Sequence, residues 1–373
     1  MRVMKFGGTS VGNAARFQQV ADLIALHRAS DPRLVVVVSA MAGVTDALIR
    51  MSHQAARGEP DWIPALAALW ERHQDTVRAL GLPEEEAHAL EAELREGFER
   101  VETVLRAVEA LKELSPSTAD LLAGMGERWS ARIMAAVLRA RSIPARAVDA
   151  DAFLITDDRF GEASPDLEQT RARARALLTP LLEQGILPMV TGFIGATPEG
   201  RPTTLGRGGS DFSATILGYA LDAEEVWIWT DVDGVMSADP KIVPGARTIP
   251  ELSYIEAAEM AYFGAKVLHP RTLLQIRGSF SEAIIGDQER IRIHSACRAA
   301  PGPQNGRHDA GAPALPHPGQ QICRRRRQLH PRLHGPAHGL HPLTPLPALC
   351  LQRVRLLHRQ DERPGGCPGS CLR

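Results

Sequence analysis

No cysteine occurs in the first 296 residues of this 373-residue chain; all five (Cys297, Cys323, Cys350, Cys367 and Cys371) fall in the last 77. The body therefore offers no thiol for catalysis, and cysteine usage says nothing about its redox compartment. Long apolar runs are missing too. The longest aliphatic stretch, Leu34-Val35-Val36-Val37-Val38, is far too short to span a bilayer. No extended apolar segment stands at the N-terminus, so no secretory signal is visible and a cytoplasmic location is the default expectation. Lysine is scarce, with four (Lys5, Lys112, Lys241 and Lys266) against 39 arginines. A chain with that preference keeps a lysine where a compact point charge is needed. The body also lacks any basic excess. After residue 297 there are 12 arginines, no lysine and three acids, so the overall charge of −1 conceals an acidic body and a basic tail. Nothing in the body suggests nucleic-acid binding.

The tail has further gaps. It holds no Lys, Met, Phe, Tyr or Trp, and one Val and one Ile, yet seven of the 13 His and 12 of the 27 Pro. So little apolar surface cannot offset chain entropy, and frequent proline prevents long helices and ladders. Three readings fit. A metal-binding tail would use His330, His334 and His338, but Pro331 and Pro336 interrupt any helix there, and Cys367 with Cys371 lacks a partner pair at zinc spacing. A basic disordered tail would present Arg324 to Arg327 as an anion patch. Out-of-frame translation of GC-rich DNA would yield this same residue set. If that third reading holds, another frame of the DNA continues an α/β pattern. The expected division is a patterned body over 1–296 and a disordered or out-of-frame tail over 297–373.

Within the body, Val3 to Phe6 reads as a strand and Asn13 to His27 as an amphipathic helix capped by Asn13. Leu34 to Ser39 is a β-branched run, the mark of a strand buried on both faces. A helix follows from Thr45 to about Arg57. This β-α-β-α opening indicates a parallel sheet with crossover helices. Residues 61–140 are mostly helical, with two long helices split near Gly81-Leu82-Pro83 and a third over Ser117 to Ala140. Beyond them come short strands at Ala145–Val148 and Ala152–Ile155, a helix over Asp166–Gln184, and a buried strand over Leu187–Thr191. A helix over Asp211–Leu221 and a strand over Glu225–Thr230 follow, then a helix over Tyr254–Phe263.

Four glycine- or acid-rich turns follow buried strands: Lys5 to Ser10, Ser39 to Thr45, Gly192 to Gly195, and Thr230 to Gly234. In an open α/β sheet ligands bind at the carboxyl ends of the strands. Lys5-Phe6-Gly7-Gly8-Thr9-Ser10 suits a phosphate, because glycines let backbone amides approach an anion and the lysine adds charge. It is not a Walker A loop, which places its lysine after the glycines. Gly206-Arg207-Gly208-Gly209-Ser210-Asp211 opens a helix and could hold an anion at its N-terminus. Arg207 could clamp a carboxylate in a bidentate manner. Asp211 fits either a functional acid or a helix cap. Glu127, in Gly124-Met125-Gly126-Glu127-Arg128, fits either a cavity or an ion pair with Arg128 or Arg132. Lys266 follows Phe263-Gly264-Ala265 at a turn.

Four segments, in order, resemble the motifs of the aspartate kinases. They are Lys5 to Val11; Gly206 to Asp211 with Phe212-Ser213-Ala214; Thr230 to Val235 with Asp239-Pro240-Lys241; and Phe263 to Pro270. The resemblance covers about residues 2–275. It implies an α/β fold, a three-layer αβα sandwich with a mainly parallel central sheet (the amino-acid kinase fold), forming a catalytic domain over 1–296. It implies ATP-dependent phosphorylation of the side-chain carboxylate of L-aspartate to 4-phospho-L-aspartate, toward lysine, threonine and methionine, with Mg²⁺ bridging the phosphates. By resemblance, Lys5 neutralises the transferring phosphoryl group and Asp211 orients it. Arg207 grips the substrate α-carboxylate and Glu127 its α-ammonium, with Ser39, Thr45, Phe193 and Ser210 lining the same pocket. Gly7, Gly8, Thr9 and Ser10, with Thr230, Asp231, Met236, Lys241 and Lys266, match nucleotide-contacting positions; some relatives carry tyrosine where Met236 stands. No protein metal ligand is assigned. The partners implied are small molecules, with neither nucleic acid nor membrane. Relatives usually continue into two regulatory ACT modules; residues 290–294 faintly resemble the strand leading there, and then the pattern stops. A homodimer is possible on this resemblance, but it and feedback inhibition usually involve those modules. The alternatives are a kinase for another small acid or phosphate, and a weak or inactive truncated domain that only binds nucleotide.

Overall fold

The computed structural model describes residues 1–230 throughout, isolated positions between Ser237 and Glu256, and the strand backbones Glu251–Ser253, Arg290–His294 and Cys350–Arg355. Strand β1 (Arg2–Phe6) leads through a 3₁₀ turn, Gly8–Val11, into α1 (Ala14–Ser30), whose Asn13 cap accepts a hydrogen bond from the Arg16 amide at 3.0 Å. β2 (Leu34–Val38) and α2 (Val44–Ala56) follow. The helical stretch comprises α3 (Trp62–Leu80), α4 (Glu84–Leu111), α5 (Pro116–Ala123) and α6 (Met125–Arg139). Gly81, left-handed at φ 63°, ends α3 where the sequence places the split. Then come β3 (Ala145–Val148), α7 (Leu167–Glu183), β4 (Leu187–Thr191) and the hairpin β5 (Ile194–Ala196) and β6 (Pro202–Thr204). α8 (Gly209–Ala220) and β7 (Glu225–Thr230) precede the backbone strands β8 (Glu251–Ser253), β9 (Arg290–His294) and β10 (Cys350–Arg355).

The main sheet runs β3-β4-β2-β1-β7-β10-β9-β8, parallel from β3 to β7 and antiparallel beyond it. Helices cover both faces, giving the three-layer αβα sandwich that the resemblance implies. Period-2 alternation divides the core between them. Met4 and Phe6 of β1, with Leu34, Val36 and Val38 of β2, pack among α1, α2, α4 and α6. Val3, Val35, Val37, Val226 and Ile228 pack against α7 and α8. Lys5 sits in register between Val37 and Ile228, so its side chain belongs to the α7–α8 face.

Two local expectations are revised. The helix expected over Ser117–Ala140 starts at Pro116, capped by Ser115, and breaks at Gly124. A β-carbon at Gly124 would collide with Ile194, and Gly126 is equally crowded by Ala40 and Val44. Residues 150–152 form a 3₁₀ turn, and Ile155 contributes only an isolated bridge to Ala196, so the second short strand is absent. Within the tail, Cys350–Arg355 supplies a strand that pairs antiparallel with β7. This stretch holds the tail's one valine, Val354, and no proline. Backbone contacts accordingly group Met1–Cys297 with Ala348–Arg373, apart from Arg298–Pro347. The segment Tyr254–Phe263, apart from Glu256, and Lys266 lie outside the described residues.

Candidate active site

Because β4, β2, β1 and β7 are adjacent and parallel, the turns that follow β4, β2 and β1 leave the sheet along one edge, where β7 also ends. A cleft of about 320 Å³ opens there, lined by Lys5, Gly8, Ser39, Thr45, Glu127, Phe193, Arg207, Ser210 and Asp211, with Ala40 to Gly43 and Gly206 to Gly209. Gly7 adjoins it; a β-carbon there would stand 3.4 Å from Lys5 Nζ. Thr9 and Ser10 follow in the 3₁₀ turn and do not line the cleft; Ser10 Oγ is buried with no hydrogen-bond partner. Thr230 ends β7, whereas Asp231, Met236, Lys241 and Lys266 lie outside the described residues.

At the floor, Lys5 Nζ meets Asp211 Oδ1 at 2.5 Å. The lysine is 8% exposed. Asp211 stands in the first turn of α8, where the helix dipole favours its negative charge. It does not cap the helix: left-handed Gly208 holds that position, without a side-chain bond. The cap reading of Asp211 is thereby set aside.

Glu127 opens α6 and is 3% exposed. Arg128 pairs with Asp149 and Asp151, and Arg132 with Asp149 and Glu93, so Glu127 is left out of any helix-face ion pair. Burial pushes its carboxyl up to about 8, against the opposing pull of the Ala40 and Glu127 backbone amides and the charges of Arg128 and Lys5. Its Oε2 has no partner. A buried carboxyl with a free oxygen beside a cleft is a receptor for a cation or a hydrogen-bond donor. Arg207, exposed at the rim, makes no ion pair among the described residues. The cleft thus presents one free cationic side chain and one unsatisfied acid besides the Lys5–Asp211 pair.

Close backbone approach builds these walls. A β-carbon on Gly8 would come within 2.8 Å of the Ala40 carbonyl oxygen, and the Ala42 amide donates to Gly8 O at 3.2 Å. Arg72, on α3, ties the same two loops together, donating to Ala42 O at 3.0 Å and Gly12 O at 3.1 Å. Opposite, Phe193 adopts φ 68°, a strained conformation for a non-glycine residue, and its amide donates to Ser213 Oγ at 2.9 Å. Gly192 leaves room for Ser210, since a β-carbon there would lie 2.6 Å from Ser210 Cβ. Gly192→Ala should push α8 off β4, lowering stability by roughly 1–3 kcal/mol as other overpacked sites do. Thermal unfolding of the variant against the parent checks this. Sequence reasoning missed Arg72, which carries no local signal, and Asp120, which it left unremarked inside the helix expected over Ser117–Ala140.

Among the described residues there is no cluster of three or more His, Cys, Asp or Glu fit to hold a metal, and no helix is long and apolar enough to cross a membrane.

A family model described as the amino acid kinase family matches residues 1–287. The chain is 38% identical over 291 residues to lysine-sensitive aspartokinase 3 of Escherichia coli, covering 78% of this chain and 62% of the relative. It is 39% identical over 275 residues to a chloroplastic bifunctional aspartokinase/homoserine dehydrogenase 2 of Arabidopsis thaliana, covering 74% of this chain and 30% of the relative. Among solved structures, E. coli aspartokinase III in complex with aspartate and ADP superposes with TM-score 0.68 at 38% identity, over 75% of this chain and 60% of that one. The chain therefore spans less than two thirds of the length of these relatives.

Proposed function

The chain belongs to the amino acid kinase family, and from that premise we propose that it transfers the γ-phosphoryl group of ATP to the side-chain carboxylate of L-aspartate. The observation that carries this reading is the cleft's charge pattern: Glu127 and Arg207 on its walls, with the Lys5–Asp211 pair beneath. Arg207 takes the α-carboxylate through two parallel hydrogen bonds. Glu127 Oε2 takes the α-ammonium. Ser39, Thr45, Phe193 and Ser210 shape the space between them, and a pocket of this size suits a short amino acid. The relative solved with aspartate and ADP supports the same pair of ligands.

The chemistry needs no general base, because the attacking carboxylate is already ionised at neutral pH. Its oxygen bonds to the γ-phosphorus as the bond from that phosphorus to the β–γ bridging oxygen breaks, and ADP leaves with the electron pair. The protein's part is positioning and charge neutralisation. Lys5 meets the charge on the transferring group; Asp211 holds the ammonium in place. Gly7 and Gly8 bring backbone close to the phosphates, with Thr9 and Ser10 behind them and Thr230, Asp231, Met236, Lys241 and Lys266 assigned to the nucleotide. A cleft with a single acid at the phosphate end fits Mg²⁺, which rarely uses an all-protein cage: Asp211 would help hold the ion and phosphate oxygens would supply the rest. When bound, Mg²⁺ supplies neutralisation of the β- and γ-phosphates. A cytoplasmic site of action is proposed alongside.

Incubating the purified full chain with ATP, Mg²⁺ and aspartate, glutamate, N-acetylglutamate or UMP tests the reading. ADP release with aspartate alone, and trapping of the acyl phosphate by hydroxylamine, is the expected result. Nucleotide binding without aspartate-dependent ADP release would instead favour a domain that only binds nucleotide.

A further inference from the structure

Asp120 lies in α5, one turn before the Gly124 break that leads to Glu127, and is 6% exposed. Among the described residues it makes no ion pair, and its carboxylate is satisfied by three donors. Oδ2 accepts from the Gly161 amide at 2.8 Å and the Thr204 amide at 2.8 Å, and Oδ1 from the Thr204 hydroxyl at 2.9 Å. Thr204 ends β6, and Leu205, Gly206 and Arg207 follow it. The Gly161 carbonyl oxygen lies 3.0 Å from where a β-carbon of Gly206 would stand. One carboxylate thus holds both the strand end that delivers Arg207 and the turn on which Gly206 rests. Its own helix leads, through the break at Gly124, into the helix that carries Glu127.

A buried acid without a cation is costly unless donors surround it. An apolar side chain could fill a helix–strand contact more simply, so the donor geometry at Asp120 points to placement of the backbone rather than to packing alone. Burial raises the Asp120 carboxyl from its ordinary value, while the hydrogen bonds from Gly161 and Thr204 pull it back. We propose that Asp120 is a positioning residue that fixes Arg207 relative to Glu127, so that the α-carboxylate and the α-ammonium of one substrate are recognised together. This rests on the reading of the cleft as an amino-acid site.

The test compares steady-state kinetics of the full chain with Asp120→Ala and Asp120→Asn. Asparagine can keep the network: its carbonyl oxygen accepts the two amides, and its amide donates to the Thr204 hydroxyl, which turns acceptor. Asp120→Ala should raise the KM for aspartate at least about tenfold and leave the KM for ATP within about twofold, whereas Asp120→Asn stays near the parent. Succinate, which lacks the α-ammonium, and 3-aminopropanoate, which lacks the α-carboxylate, give a second readout as competitive inhibitors. Their disadvantage relative to aspartate should shrink in Asp120→Ala, because the two grips no longer act on one molecule. Should that variant fail to fold, Thr204→Val, which deletes one of the three donors, should raise the aspartate KM alone. An unchanged aspartate KM, an equal rise for both substrates, or an asparagine variant as impaired as alanine overturns the proposal while leaving the kinase reading standing. A parent chain without aspartate-dependent turnover overturns that reading first, and this proposal with it.

Discussion

Lys5→Ala should lower kcat at least about 10²-fold, close to 3 kcal/mol of transition-state stabilisation, with the aspartate KM changed far less. The reason is spatial. Lys5 Nζ is 2.5 Å from Asp211 Oδ1, nearly shielded from water, at the strand ends where the triphosphate would lie. Charge that develops on the phosphoryl group there meets an ammonium already held in place. The substitution removes that charge and also leaves the Asp211 carboxylate unpaired, which repels phosphate. Lys5→Arg is a poor substitute, because a planar guanidinium would crowd Gly7, whose β-carbon position lies 3.4 Å from the lysine nitrogen. Rapid-quench measurement of a single turnover separates the chemical step from product release. A folded Lys5→Ala chain with near-normal single-turnover rates would remove Lys5 from its assigned role.

The meeting of Lys5 with Asp211, some two hundred residues apart in the chain, was legible only through the motifs that resemble the aspartate kinases, and the fold supplies its physical basis. Period-2 alternation in β1 puts Lys5 with Val3 on the α7–α8 face, and Asp211 opens α8. The strands β2, β4 and β7 were legible from their apolar runs: a run such as Leu34–Val38 can be buried on both faces only inside a covered parallel sheet. What escaped the sequence is what depends on distant neighbours. The apolar pattern runs on past Gly124, yet the helix breaks there, at a glycine whose missing side chain makes room for Ile194 of another element. That break turns Glu127 away from the solvated helix face and into the cleft. Arg72 looks like any arginine on an amphipathic helix until Ala42 and Gly12 present their carbonyls to it. The Asp120 donors likewise come from residues about forty and more than eighty positions onward.

Glu127→Gln should raise the aspartate KM by about 10²-fold, since a charge-assisted contact is worth roughly 1.5–3 kcal/mol, and should abolish a pH dependence that the parent shows. In the free parent the carboxyl titrates near 8, raised from about 4.5 chiefly by burial, with Lys5 and Arg128 opposing the rise. Only its ionised form pairs with an ammonium. Aspartate affinity in the parent should therefore fall about tenfold for each pH unit below 8, and each binding event there releases a proton. Glutamine has no such proton to lose, so its weaker affinity stays flat with pH. Stability runs the other way. A folded pKa above the unfolded one gives stabilisation that is complete below about 4.5 and is lost as pH rises through about 8. Without ligand, the parent should lose melting temperature across that window, and Glu127→Gln should overtake it at pH 9. Aspartate should restore the parent and leave the variant unmoved, because the substrate's ammonium supplies the partner that Oε2 lacks. Melting curves with and without aspartate at pH 6 and pH 9 decide the matter: parallel behaviour of the two proteins would mean that Glu127 is only a packed side chain. The site would then have accepted an unsatisfied buried acid at the expense of stability with no return in binding, which is the outcome the free oxygen argues against.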